Sequence, residues 1–442
     1  MLSQEENELL CRVGPGTPMG ELMRQYWIPA VRSDELPAPD CPPLRVMLLG
    51  EQLIAFRTTS GAVGLIQNAC PHRGASLFFG RNEEEGLRCV YHGWKFDVAG
   101  RCVDMPSEPA ESNFKGKVRA RAYPCVERHG IVWAYMGPRE VPPPLPQLEA
   151  NMIEDGAYTI YLYQLENNWM QGWEGEMDTV HAAFLHSGAT RPEDTQPGTF
   201  AYYQARQRNA KFYVLDTDWG TSYGVQRPAE EDTYYWRIAH QLFPFYAMVP
   251  TGVLGLEVRF RAYVPMDDYH TMVWTVTARR GTRGNIEAPR GSPRMGASDL
   301  ELLPNTTDWF GRWRLKASME NDFLIDRELQ KSGNSYSGIR GIRQQDAAVT
   351  TSMGPIYDRS KEHLGTTDSL IIRTRRRLIA AAKALRDEGV VPPGVDNPEV
   401  YAQRSGGVIL PRDVDWWEGT QELRRGFVDR PELLATATIG NA

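Results

Sequence analysis

The chain has 442 residues, enough for two or three domains, and 41% of them are hydrophobic, enough for large cores. A formal net charge of −7 gives no basic footprint for nucleic acid, and no uncharged apolar run approaches the roughly 18 residues of a membrane helix. The N-terminal MLSQEENELLCRV has neither a basic n-region nor an apolar h-region. A cytoplasmic protein is expected, and its six cysteines (11, 41, 70, 89, 102 and 125) then suit metal binding better than a disulfide framework.

Residues 1–40 read as a helical arm. Glu5 to Val13 has helical periodicity, Gly-Pro-Gly-Thr-Pro interrupts it, and Met19 to Trp27 restarts it. Residues 41–140 change character: RVMLLG, LIAFRT, VGLIQN, LRCVYHGWKFD and GIVWAYMG are short strand-like runs separated by glycine turns, as in a small all-β module. PREVPPPLP at 138–146 predicts an extended linker and is the clearest boundary. Residues 150–390 form the second domain. Its alternating, aromatic-rich runs TFAYYQA, KFYVLDT, TYYWRIAHQLFPF, LEVRFRAYVP and TMVWTVTAR predict one antiparallel sheet. Residues 280–306 read as a surface loop, 308–333 as helical, and Leu370 to Asp387 as a long basic helix. Its Arg373–Arg377 run reads as a solvated face or as a docking patch for an acidic electron donor. Residues 391–442 are a C-terminal extension with weak helical pieces.

Two stretches carry chemistry. Cys70-Pro71-His72 and Cys89-Val90-Tyr91-His92 form C-x-H and C-x-x-H pairs with sixteen residues between His72 and Cys89. Two thiolates and two imidazoles suit one tetrahedral zinc or a two-iron, two-sulfide cluster with both cysteines on one iron and both histidines on the other. Spacing alone does not separate the two. The flanks do: CPHRGASL and CVYHGWKFD inside a β module resemble the Rieske iron–sulfur domain.

The second stretch is ENNWMQGWEGEMDTVHAAFLH at 166–186. Its Asp178, His181 and His186 give D-x2-H-x4-H. Asp178 and His181 share a helix face, but His186 lies about 140° round from His181 on an ideal helix, so the helix must end or bulge near Ala182–Leu185. Two histidines and a carboxylate are the ligand set of mononuclear non-haem iron. The carboxylate could be Asp178 or a residue further on; Asp346 in RQQDAAV comes first, with Asp322, Asp326 and Glu320 as rivals.

From about residue 8 to 390 the chain resembles the oxygenase (alpha) component of the Rieske non-haem iron aromatic ring hydroxylases, in the phthalate dioxygenase-like and O-demethylase subgroup. The resemblance rests on the two stretches above, on NDFLIDRELQ, and on GIRQQDAAVTTSMGPIYDRSKEHLGTTD. It implies an α+β chain in which an N-terminal all-β Rieske domain precedes a helix-grip (START-like) catalytic domain. It implies a [2Fe-2S] cluster on Cys70, His72, Cys89 and His92, and Fe(II) on His181, His186 and Asp346. Asp178 becomes a bridge from His181 to His92 of a neighbouring subunit, and Asn168 matches an amide found near the iron. A donor cluster in an adjacent subunit requires a closed ring, hence a homotrimer or a hexamer of trimers.

The expected activity is a terminal oxygenase that uses O2 to hydroxylate an aromatic compound. The alternatives are O- or N-dealkylation of an aryl ether or amine, an electron-transfer protein without oxygenase activity, and a structural zinc protein. No plant-type ferredoxin spacing and no flavin or nicotinamide fingerprint occurs in the chain, so a separate flavin or iron–sulfur reductase is expected. The pocket wall is expected among Phe184, Leu185, Tyr203, Phe212, Trp236, Phe243, Phe245 and Met248. A dicarboxylate would need buried arginines. Arg206, Arg208, Arg227 and Arg237 are available, but each reads first as a solvated residue. QLFPFYAMVP at 241–250 carries no basic residue, which favours a less charged aromatic or aryl ether over phthalate.

Overall fold

The computed structural model describes residues 2–109, 111–153, 158–278, 300–430 and 432–433. The arm begins as expected: Ser3 caps the helix Gln4–Cys11 in a capping box with Glu6, and Thr17 with Pro18 opens the helix Pro18–Arg24. It then turns into a strand, Trp27–Arg32, which pairs antiparallel with Ile131–Tyr135. Its residues are nearly all buried, so period-2 alternation was never there to be read.

The β module holds two four-stranded sheets. One runs Leu44–Leu48, Glu51–Arg57, Val63–Gln67, Ala122–Tyr123, and the other Arg81–Glu83, Gly86–Arg88, Lys95–Phe96, Cys102–Asp104. The strand Glu51–Arg57 divides two cores by simple alternation. Leu53 and Ala55 pack into the large core shared with the second domain. Ile54 and Phe56 pack with Ile66, Leu77, Leu87, Trp94 and Phe96 in the module's own core, where Cys70 and Cys89 also sit.

The second domain is built on an eight-stranded antiparallel sheet. Tyr158–Leu165, Thr271–Ala278, Arg259–Pro265, Tyr246–Met248, Thr233–Leu242, Gly220–Pro228 and Lys211–Thr217 lie side by side in that order. The long helix Ser369–Glu388 packs on Gly220–Pro228 and Lys211–Thr217. On Thr233–Leu242, Tyr235, Arg237 and Ala239 share one face with Tyr223, Val225 and Arg227 of the neighbouring strand, while Trp236 and Ile238 point the other way. That second face is covered by the C-terminal segment: Gly406–Pro411 pairs with Thr233–Ile238, and Leu410 and Trp416 pack on Trp236.

Several expectations are corrected. The extension after residue 390 supplies a strand of the main sheet. TFAYYQA is not a strand: Thr199 caps the helix Phe200–Arg206, because its hydroxyl accepts from Tyr202 N–H. Residues 308–333 are helical only at Met319–Leu324 and Arg327–Lys331, and Asp322, Phe323 and Leu324 all lie in the left-handed region. The basic run is not uniformly solvated. Arg373 pairs with exposed Asp216, but Arg375 is buried between Glu174 and Glu362. Most of the expected 280–306 loop lies outside the described residues.

Candidate metal centres

The two Cys–His loops share one backbone design. Cys70 N–H donates to Ala75 O and Cys89 N–H to Trp94 O, both at 2.8 Å. Gly74 and Gly93, each four residues on, donate back to the cysteine carbonyls at 2.9 Å. Both glycines have positive φ, +76° and +81°, which lets each loop fold back tightly. The thiols are buried, whereas His72 is exposed and His92 half-buried. The rings of His72 and His92 stand 4.3 Å apart, edge to face, and Trp94 stacks on His72 at 4.3 Å. Burial pushes the Cys70 thiol up to about 11, with the neighbouring Cys89 adding to it, so a thiolate here depends on a bound cation.

A single tetrahedral ion would draw all four donors within roughly 4 Å of one another. Among the described residues, however, the one group of three or more donors that converges within 4.8 Å lies elsewhere. Cysteines inside and histidines outside, without a common centre, fit a two-iron cluster rather than zinc.

That other group is His181, His186 and Asp346. The helix Trp169–Met177 ends earlier than periodicity suggests. Asp178 is its C-cap and His181–Ala183 form a 3-10 turn, so both histidines follow the helix. Asp346 comes from the helix Ile342–Thr351. The three donor atoms are separated by 3.0 Å (His181 Nε2 to His186 Nε2), 3.4 Å (His181 Nε2 to Asp346 Oδ1) and 3.2 Å (His186 Nε2 to Asp346 Oδ1). Adjacent positions on an octahedron with bonds of about 2.1 Å lie about 3.0 Å apart. The triangle therefore approximates one face of such an octahedron, and an ion held there would have its opposite face open.

The electrostatics agree. Burial opposes the Asp346 carboxylate, but His181 and His186 outweigh it and hold its pKa well below the usual range. Burial also opposes a charged His181, but the carboxylates of Asp178 and Asp346 outweigh it and push its pKa up to about 10. Two imidazoles facing a buried carboxylate in this way suit a cation.

Asp178 stands beside the triad rather than in it. Its Oδ1 accepts from Val180 N–H (2.8 Å) and His181 N–H (3.1 Å), and its Oδ2 is 3.7 Å from His181 Nδ1. Asp322, Asp326 and Glu320 take no place in the triad. Asn168 is a correction. Its carbonyl caps the helix at Met170 N–H and its amide donates to Cys11 O and Asp268 O, so its polar groups are spent on structure. The amide that meets the triad is Gln345, 2.7 Å from His186 Nδ1. Its place immediately before Asp346 was the signal available in the sequence.

Of the four arginines, Arg206 is exposed, and Arg208 holds Ala183 O and Gly188 O in the loop that carries His186. Arg227 and Arg237 are buried, not solvated. Trp236, expected in the pocket wall, faces the C-terminal segment instead.

An iron–sulfur module of this kind, joined to a sheet domain whose covering segments bring together two histidines and a carboxylate, is the build of a Rieske-type oxygenase subunit. Residues 26–124 match the Rieske [2Fe-2S] domain and residues 134–428 the LigXa C-terminal domain-like family. The chain is 48% identical to the 3-chlorobenzoate-3,4-dioxygenase oxygenase subunit of Comamonas testosteroni, across 97% of this chain and 100% of that one. It is 35% identical to the phthalate 4,5-dioxygenase oxygenase subunit of Pseudomonas putida, across 94% of each. It is 32% identical to the 5,5'-dehydrodivanillate O-demethylase oxygenase subunit of a Sphingobium species, across 78% and 80%. The fold is also that of dicamba monooxygenase bound to dicamba, with a TM-score of 0.53 at 17% identity over 82% of this chain and 98% of that one.

The chain belongs to the Rieske non-haem iron aromatic ring-hydroxylating oxygenases, as an oxygenase component of the phthalate dioxygenase-like and O-demethylase subgroup. Its cofactors are a Rieske [2Fe-2S] cluster and a mononuclear non-haem iron. Among the described residues no helix is long and apolar enough to cross a membrane.

Proposed function

We propose that this oxygenase acts on an aromatic carboxylic acid, binding its cluster through Cys70, His72, Cys89 and His92 and its iron through His181, His186 and Asp346. The observation that carries the substrate class is Arg237. It is 5% exposed, donates from Nε to Pro250 O and from Nη1 to Thr179 Oγ1, and forms no ion pair with any described carboxylate. Thr179 is two residues from His181, so this charge, with no carboxylate paired to it, stands close to the triad. Arg227, on the same sheet face, is 0% exposed with both terminal guanidinium nitrogens unpartnered. Burying guanidinium groups without a counter-charge is costly, and an incoming carboxylate relieves it. Relatives named for chlorobenzoate, phthalate and phenoxybenzoate support the same reading. It replaces the expectation of a less charged substrate, which rested on one segment free of basic residues.

Bound iron supplies dioxygen activation and the cluster supplies electrons. The protein's own part is to hold the ring over the open face of the triad, with Arg237 fixing the carboxylate. Asp178 is positioned to join the centres of two subunits. Its side chain is one-third exposed, and His92 lies on a module tip with exposed Val90 and Tyr91. A head-to-tail trimer would bring that tip to Asp178, with electrons entering from a separate NAD(P)H-dependent reductase in the cytoplasm.

The test is turnover with a generic reductase and NADH on benzoates, phthalate, methoxybenzoates and their neutral counterparts, with products identified by mass. Acids are expected to be consumed and neutral arenes spared. Equal turnover of neutral arenes or aryl ethers would overturn the carboxylate reading. Loss of a methyl group as formaldehyde would assign dealkylation in place of ring hydroxylation.

A further inference from the structure

Gln345 is 5% exposed and bonded at both ends of its amide. Its Nε2 donates to Ile339 O at 2.7 Å, and its Oε1 lies 2.7 Å from His186 Nδ1. The first bond fixes the orientation of the amide, because a carbonyl oxygen cannot donate to Ile339 O. Its Oε1 therefore faces the imidazole, and His186 Nδ1 must carry the proton. The lone pair of His186 is thereby placed on Nε2, the atom that faces His181 and Asp346.

His181 is held differently. Its Nδ1 lies 3.7 Å from the Asp178 carboxylate, beyond hydrogen-bond reach. One histidine of the triad is thus locked by a neutral amide inside its own chain. The other faces a partly exposed acid.

We infer that Gln345 is a positioning residue that locks His186 in the Nδ1–H form, so that the lone pair on Nε2 is held toward His181 and Asp346, whereas His181 has no such lock within its own chain. The inference rests on the reading that this triad holds the iron. Ligating histidines are oriented by what their second nitrogen bonds to, and losing such a partner weakens metal binding roughly 10–100-fold. The adjacent Gln344 donates to Phe323 O at 2.8 Å and ties the same helix turn to the left-handed segment 322–324. Three successive residues thus anchor the turn, orient one ligand and supply another.

The experiment uses the full chain with its Rieske cluster, the triad stripped of iron and titrated with Co(II). Wild type should take up one Co(II) per chain and show two solvent-exchangeable, hyperfine-shifted imidazole N–H resonances, one exchanging more slowly than the other. Asp346→Ala should take up none. Those two results test the triad itself, and failure there overturns the iron reading before Gln345 is considered. Gln345→Leu should then bind Co(II) roughly 10–100-fold more weakly and lose the slowly exchanging resonance, with an unchanged cluster spectrum. Gln345→Glu, which keeps an acceptor for Nδ1–H, should retain both the resonance and binding within a few-fold of wild type. Wild-type affinity with both resonances in Gln345→Leu would overturn the inference, as would equal loss in both variants. If Gln345→Leu fails to assemble its cluster, Gln345→Glu decides: retention of the slow resonance supports the inference, and its loss refutes it.

Discussion

Asp178 turns one carboxylate oxygen onto the backbone of His181 and leaves the other 3.7 Å from that residue's ring. The first contact fixes where the acid sits. The second leaves it free to complete its bonding elsewhere. Asp178→Asn should therefore keep both metals and the fold while cutting turnover roughly 10–100-fold, the scale of a lost partner to a ligating histidine. Metal analysis combined with single turnover from a pre-reduced cluster checks this. Loss of mononuclear iron from the variant would make Asp178 a ligand instead of a bridge.

Arg237→Leu should raise KM for aromatic acids and lower kcat/KM roughly 10- to 150-fold, since a hydrogen bond to a charged group contributes about 1.5–3 kcal/mol. The corresponding methyl ester should be affected far less, because it carries no charge for the guanidinium to meet. Steady-state kinetics on an acid and its ester separate this from general damage. An equal loss on both would mean that Arg237 mainly supports Thr179 and the turn behind it.

Much of both metal sites was legible because their donors lie close together along the chain. The four proposed cluster ligands fall in two short loops, and His181 and His186 are five apart, so spacing and flanks single them out. Asp346 had to be chosen among rivals, since only tertiary structure brings its helix to the histidines. The failures share a cause as well. Tyr235 and Arg237 look like one face of an ordinary amphipathic strand. Their burial comes from the helix Phe200–Arg206, where Tyr203 stacks on Tyr235 and Phe200 lies under Arg237. The strand Gly406–Pro411 has a partner more than 160 residues away in sequence. Burial imposed by a distant segment leaves no local period.

The N-terminal arm braces the helix that leads to the iron turn. Arg359 is 0% exposed and donates to Glu174 of that helix, to Asn7 Oδ1 at 3.2 Å and to Tyr357 O. Arg375 shares Glu174 and also meets Glu362. Replacing Arg359 by Leu strips Glu174 of one of two cations, an event that costs about 3–5 kcal/mol in a buried pair. Urea unfolding should show that loss, whereas Asn7→Ala should cost about 1 kcal/mol. A change below about 1 kcal/mol in Arg359→Leu would mean the network is wetter than its burial implies.

His240 sets part of the acid limit. Its Nε2–H donates to Arg404 O at 3.1 Å, so its Nδ1 accepts from Ser222 at 2.7 Å, and Ser222 in turn accepts from Trp219 Nε1–H. Burial, with Arg424 nearby, pushes its pKa down to about 3. The unfolded chain takes up a proton near the ordinary 6.5 that the folded chain refuses. The His240 contribution is therefore complete above about pH 6.5 and is lost progressively as pH falls from there toward 3, by up to about 1.4 kcal/mol per pH unit. In His240→Asn, stability between pH 6 and 4 should fall less steeply, by up to one proton. Parallel slopes in the two proteins would mean that the site titrates normally.

The cluster loops offer a comparison in which only one variable changes. Gly74 and Gly93 occupy the same place in the two loops and both have positive φ, so alanine at either meets the same left-handed strain of about 1–2 kcal/mol. They differ in surroundings. A Cβ at Gly74 would meet nothing within 4 Å, whereas a Cβ at Gly93 would come within 2.7 Å of Pro106 Cγ, part of a ring that cannot swing away. Gly74→Ala should thus retain its cluster at near wild-type occupancy. Gly93→Ala should displace the loop that carries Cys89 and His92 and lose iron and sulfide together. Acid-labile sulfide and visible absorption of the purified variants measure this directly. Equal losses would show that strain alone governs the loops, and greater loss from Gly74→Ala would show that the close approach of Pro106 does not hold the second loop in place.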